Sequence, residues 1–113
     1  MGNNEIIMKM QEHCQNIQKL TAGFDFQQFV TAPGIKEACV LLLLQIGELG
    51  IRVDAAFKVE YKNIPWMKMR GFRNRLVHDY GNVDFEVVWN TIQKDVPELV
   101  VTLNKVLKTG GVE

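Results

Sequence analysis

IKEACVLLLLQIGELGIRVDAA, residues 35–56, is the stretch that decides the fold. Ile35, Cys39, Leu42, Ile46, Leu49, Val53 and Ala56 recur in alternating steps of four and three. That pattern is the seam of a helix packed against neighbouring helices. Val40, Leu41, Leu43 and Leu44 make Ala38 to Leu44 apolar on every side. Such a helix either sits at the centre of a bundle or has its second face covered by another chain. A chain of 113 residues has few ways to surround one helix completely, which predicts a homodimer. Gly47 and Gly50 each weaken a helix by about 1 kcal/mol relative to alanine, so their presence suggests close approach of another backbone. Glu48 and Arg52, four apart, are spaced to pair across one turn.

Upstream, Ile6, Met10, Cys14 and Ile17 recur at helical spacing, with Lys9, Gln11, Glu12 and Gln15 on the wet side. Asn3 or Asn4 caps this first helix and Ala22-Gly23 ends it. Asp25 caps a short helix through Phe29, and Thr31-Ala32-Pro33-Gly34 makes a turn. Downstream, Tyr61 to Pro65 is a break, with Asn63 as a cap and Pro65 in the first turn. Pro65, Met69, Phe72 and Leu76 mark the buried stripe of the next helix, which runs to about Asp79 and stops at Gly81-Asn82. Asp84 caps a last helix whose inward positions run from Phe85 to Val106. Pro97 lies inside it and predicts a kink, with Asp95-Val96-Pro97-Glu98 reading as a fresh capping box. No segment alternates with a period of two. The reading is all-α: an up-and-down bundle of four main helices with a short extra helix, one domain over residues 1–109 and a frayed tail over 110–113.

Composition narrows the function. Thirteen basic and thirteen acidic residues give zero formal net charge, and the pI is near 6.7. Any nucleic-acid contact must therefore come from local charge. Cys14 and Cys39 have no metal-ligand spacing and read as reduced core thiols. The N-terminus lacks a basic region leading into an apolar segment, and no apolar run approaches the ~18 residues of a membrane span. A soluble cytoplasmic protein with no membrane association is expected.

Charge collects in one place. Between Glu60 and Asp79 no residue is acidic, while Lys62, Lys68, Arg70, Arg73 and Arg75 are basic. This run ends at His78, one of two histidines. The other, His13, reads as a surface residue of the first helix. With Arg73 at zero on an ideal helix, Leu76 lies at about −60°, Asn74 near 100°, His78 near 140° and Arg75 near 200°. His78 is thus on the solvent side. Arginines bind phosphate bidentately, and an imidazole moves a proton near neutral pH. Phosphodiester cleavage in RNA without metal fits: one imidazole takes the proton from a 2′-hydroxyl, an imidazolium protonates the leaving oxygen, and arginines stabilise charge on the phosphorus oxygens. Within one chain Arg73 and His78 face about 140° apart. Either the helix distorts at its end, or a two-fold axis brings a second copy of the segment opposite. No nucleotide-binding signature or metal-ligand set is present, so no cofactor is expected.

Arg73-Asn74-Arg75-Leu76-Val77-His78-Asp79-Tyr80 resembles the R-x-x-x-x-H-x-Y motif of the HepT-like branch of the HEPN superfamily. Phe24-Asp25-Phe26 with Phe29, Gln45-Ile46-Gly47-Glu48, Ile64-Pro65-Trp66, Arg70 to Asn74, Val83-Asp84, Val88-Trp89 and Asp95 to Leu99 are similar to the family's landmarks, in its order. The resemblance covers about Thr21 to Leu107. The first helix departs from the acidic, tyrosine-bearing opening of the family. The resemblance implies a HEPN helical bundle that dimerises with its motifs facing one cleft. It implies a metal-independent ribonuclease toxin of a type II toxin–antitoxin pair, with Arg73 and His78 catalytic and Asn74 a polar supporter; the charge run adds Arg70 and Arg75 as supporting or RNA-binding residues. It implies as partner a minimal nucleotidyltransferase (MNT-type) antitoxin, which silences the toxin by transferring AMP to the motif tyrosine, here Tyr80. Two other readings compete: a non-catalytic HEPN subunit that binds a nucleotidyltransferase or nucleotide, and a helical dimerisation domain with no activity.

Overall fold

The structure, a computed structural model, describes residues 1–109; the tail expected at 110–113 lies outside the described residues. Its long helices are α1 (Asn3–Thr21), α3 (Ile35–Ile51), α5 (Trp66–His78), and α6 (Phe85–Asn90) continuing into α7 (Val96–Thr109). Two short helices, α2 (Phe26–Thr31) and α4 (Ala55–Glu60), sit in the connections. The fold is an all-helical bundle consistent with the HEPN type. No strand occurs among the described residues.

Neighbours in space follow the order α5, α3, α1, α7. Ile7, Met10, Cys14 and Ile17 of α1 are fully buried, as are Cys39 of α3 and Leu103 of α7. The core therefore lies between α1, α3 and α7. Helix α5 packs mainly on α3 and buries only Leu76. Met69 and Phe72, the other residues expected on its inner stripe, are half-buried. Between α5 and the α6–α7 helix the bundle is open, leaving a groove of about 630 Å³.

Several local readings match. Asp25 and Gln28 form a reciprocal capping box, each side chain accepting the other's backbone N–H at 2.8 Å. Asp84 accepts from the N–H groups of Glu86 and Val87 at 3.0 and 3.4 Å. Gly23 and Gly34, both at φ 76°, occupy the left-handed region at the expected turns.

Other readings are corrected. The long helix ends at Ile51, not Ala56. A turn of i→i−3 bonds (Arg52 to Leu49, Val53 to Gly50) closes it, and Asp54 starts α4. Val53, in this turn, stays buried and continues the apolar period past the helix end, while Ala56, expected on the same seam, is exposed. Asn3 does not cap α1; its side chain pairs with the Asp54 carboxylate and N–H, both at 3.2 Å, tying the start of α1 to the start of α4. Asn63 makes no cap for α5 either. Gln11 is buried and donates to Val100 O at 3.4 Å and to Asn104 Oδ1, linking α1 to α7. Pro97 is accommodated by a π turn over Thr91–Asp95. The proline ring cannot sit against the carbonyl four residues back, and a wider turn moves that carbonyl aside. The expected capping box at Asp95 is absent, because the backbone never leaves the helix there; Asp95 pairs instead with Lys68 at 3.3 Å.

Candidate functional site

The site begins with two glycines. A Cβ on Gly47 would lie 2.4 Å from Cβ of Arg73 and 3.3 Å from the Met69 carbonyl oxygen. A Cβ on Gly50 would touch the end of Met69 at 3.4 Å. Glycine therefore lets α5 lie against α3 at the point where Arg73 leaves the helix. The close approach read from the sequence is between these two helices of one chain.

That contact sets the arginine. Glu48, next to Gly47, accepts from Arg73 Nε, and Arg73 Nη1 donates to Asn74 Oδ1 at 2.8 Å. Glu48 is thus engaged with Arg73, and the expected pairing with Arg52 does not occur. The Arg73 side chain is 26% exposed. Five N–H donors minus the two bound leave three for a ligand.

Arg70, Asn74 and His78 follow one another at intervals of four on α5, in a row whose members step by about 40°. The bond from Arg73 to Asn74 draws the guanidinium toward that row. Arg70 and His78 are exposed, and neither Arg70 nor Arg75 has a salt-bridge partner among the described residues. Arg75 faces elsewhere: it lines the groove between α5 and the last helix, with Lys68, Phe72 and Asp95. Arg75 and His78 lie in the last turn of α5, where positive charge meets the negative end of the helix dipole. The helix stays regular from Arg73 through His78 and changes only at the 3₁₀ turn Tyr80–Asn82, with Asp79 N bonded to Arg75 O at 3.0 Å. Helix distortion therefore does not bring Arg73 and His78 onto one face. Tyr80, 64% exposed, stands just beyond the helix end.

Glu48 was not among the site residues read from the sequence. Its signal was an acidic side chain beside a glycine, the one charged residue between Ala38 and Ile51. His13, expected on the surface, is half-buried, and its Nδ1 has no partner. Burial, helped by the charge of Lys9 and opposed by Glu12, holds its pKa below the usual value. Both cysteines are free and fully buried, and burial pushes the thiol pKa of Cys14 to about 12 and of Cys39 to about 11. Among the described residues no three His, Cys, Asp or Glu side chains gather as a metal site needs. No helix there is long and apolar enough to cross a membrane.

Residues 10–106 match the family described as Ribonuclease HepT-like. The chain belongs to the HepT-like family. The match reaches back into α1, further than the landmarks that begin near Thr21. A protein from Caldanaerobacter subterraneus subsp. tengcongensis with an RNase assignment in its name is 30% identical over 97 residues, 86% of this chain and 87% of its own. A similarly named protein of Methanocaldococcus jannaschii is 30% identical over 86% of this chain and 80% of its own. A protein of Thermococcus cleftensis whose name reads ribonuclease HepT is 28% identical over 95% of this chain and 97% of its own. No solved structure matches. Membership of the HepT-like family supports a ribonuclease of the HEPN type.

Proposed function

We propose that this HepT-like chain is a metal-independent endoribonuclease toxin of a type II toxin–antitoxin system, cytoplasmic and active as a homodimer. The observation that carries this reading is the Arg73 guanidinium, held by Glu48 and Asn74 and partly exposed, beside a row that ends in exposed His78. Arg73 and His78 are the catalytic pair. His78 takes the proton of a ribose 2′-hydroxyl, and the new oxygen–phosphorus bond forms as the bond to the 5′-oxygen breaks. An imidazolium returns a proton to that leaving oxygen. Arg73 meets the charge on the non-bridging oxygens, and Asn74, Arg70 and Arg75 bind the strand around it.

The dimer supplies what one chain lacks. Arg73 and His78 diverge by about 140° on a regular helix, so a second copy across a two-fold axis completes each site. Exposed apolar surface supports such an interface: Leu41 on α3 is 54% exposed, and Met67 and Val77 on α5 are exposed.

The partner is an MNT-type nucleotidyltransferase antitoxin, which transfers AMP from ATP to the Tyr80 hydroxyl: the new bond from the tyrosyl oxygen to the α-phosphorus forms as the bond to the departing pyrophosphate breaks. That hydroxyl is two residues from His78, so an adenylate there adds negative charge and bulk where RNA phosphate binds. Coexpression with the nucleotidyltransferase adds adenylate mass to wild type and none to Tyr80→Phe in intact-mass spectra; a fully active, unmodified wild type contradicts the silencing step. The nuclease itself is tested by expressing wild type and His78→Ala. Wild type arrests growth and degrades RNA, with cleavage by the purified protein persisting in EDTA, and the folded variant loses at least about 100-fold of that activity. Equal toxicity of a folded His78→Ala overturns the catalytic assignment. Tight nucleotidyltransferase binding with no cleavage of any RNA favours the non-catalytic subunit instead.

A further inference from the structure

Resting on the nuclease reading, we propose that Glu48 of α3 is the positioning residue of the site: it orients the Arg73 guanidinium for the transition state without touching RNA. Three observations converge. The Glu48 carboxylate takes the Nε–H of Arg73, the one donor nearest the side chain's stem, and so fixes the guanidinium plane. Gly47, the preceding residue, leaves room for the Arg73 stem to lie directly on α3, where any larger side chain would displace it. Asn74 Oδ1 holds Nη1 at 2.8 Å from the other side. Glu48 itself stands on α3, whose Cys39, Val40, Ile46 and Leu49 are buried in the core. The carboxylate, itself 39% exposed, therefore projects from a helix whose other side is packed into the core.

An unrestrained arginine loses rotamer entropy on gripping phosphate. Here the side chain is ordered when the protein folds, and the outer donors stay in place as charge moves onto the phosphorus oxygens. The carboxylate also has a cost. It offsets part of the positive charge that attracts RNA, so a role in substrate attraction would place no acid here. Glu48 serves geometry at the expense of local charge.

This gives a split that a merely structural residue does not. Glu48→Ala leaves KM for a short RNA unchanged or lower, since the net charge of the site rises, while kcat falls about 10- to 100-fold. Glu48→Gln keeps an oxygen acceptor for Nε–H and recovers most of the lost kcat. In ¹⁵N spectra the Arg73 Nε–H is protected from exchange in wild type, retained in Glu48→Gln and lost in Glu48→Ala. The assignment fails if Glu48→Ala keeps wild-type kcat, if its loss appears in KM alone, if Glu48→Gln is as impaired as Glu48→Ala, or if the Nε–H is unprotected in wild type. A wild type that cleaves RNA beside an inactive His78→Ala and an unimpaired Glu48→Ala removes only the role of Glu48. A wild type that cleaves no RNA removes the nuclease and this role together.

Discussion

At the scale of single residues, the same helix surface hosts side chains that look alike in sequence and differ in state. Arg70, Arg73 and Arg75 fall within six positions, yet only Arg73 is held by a carboxylate. The sequence made the cluster legible through its charge run and its histidine. It did not reveal which arginine was fixed, because the carboxylate that fixes it stands 25 residues earlier on another helix. His13 is a comparable case. Its charged neighbours in sequence suggested a wet face, while packing buries Nδ1 without a partner. Its pKa in the folded chain is lowered, by burial first and by Lys9 second. The unfolded chain, with His13 near its ordinary value of about 6.5, then binds more protons below that pH. The stabilisation is fully present above about pH 6.5 and is lost as pH falls toward the lowered folded value. Thermal melts from pH 7.5 to 5.0 should show a steeper fall in Tm for wild type than for His13→Gln; parallel curves would rule out this contribution.

At the scale of elements, what the sequence disclosed followed from local rules, and what it concealed depended on remote contacts. Caps set by Asp25 and Asp84 were readable because each partner lies within three residues. The break after Ile51 was hidden because Val53 stays buried and the apolar period survives it, and because the partner of Asp54 is Asn3 at the chain start. The π turn shows the same limit: Pro97 announced a disturbance, while its form depends on the backbone staying helical through Asp95. The seam between α3 and α5 makes the sharpest prediction at this scale. Gly47→Ala improves helix propensity by about 1 kcal/mol. The added methyl meets Arg73 Cβ at 2.4 Å, and such overpacking costs about 1–3 kcal/mol. The clash wins, because the near atom is at the root of the side chain and cannot swing away. Urea unfolding should show a net loss of stability, together with RNA cleavage reduced beyond the loss of folded protein. A variant as stable and active as wild type would mean that α3 and α5 do not meet this closely.

At the scale of the whole molecule, the bundle is closed around α1 and open beside α5. Helix α5 carries the arginines and the histidine, buries a single side chain, and borders a groove of about 630 Å³. A helix held mainly by α3 is well suited to meet its own copy, and its two proposed catalytic groups point apart within one chain. The proposed nuclease therefore requires two copies sharing one RNA cleft. Its most direct test is the mass of the purified protein in solution, measured by light scattering across the micromolar range. Twice the chain mass of 12.9 kDa is predicted at every concentration that supports cleavage. A particle of 12.9 kDa that cleaves RNA at the wild-type rate would contradict it.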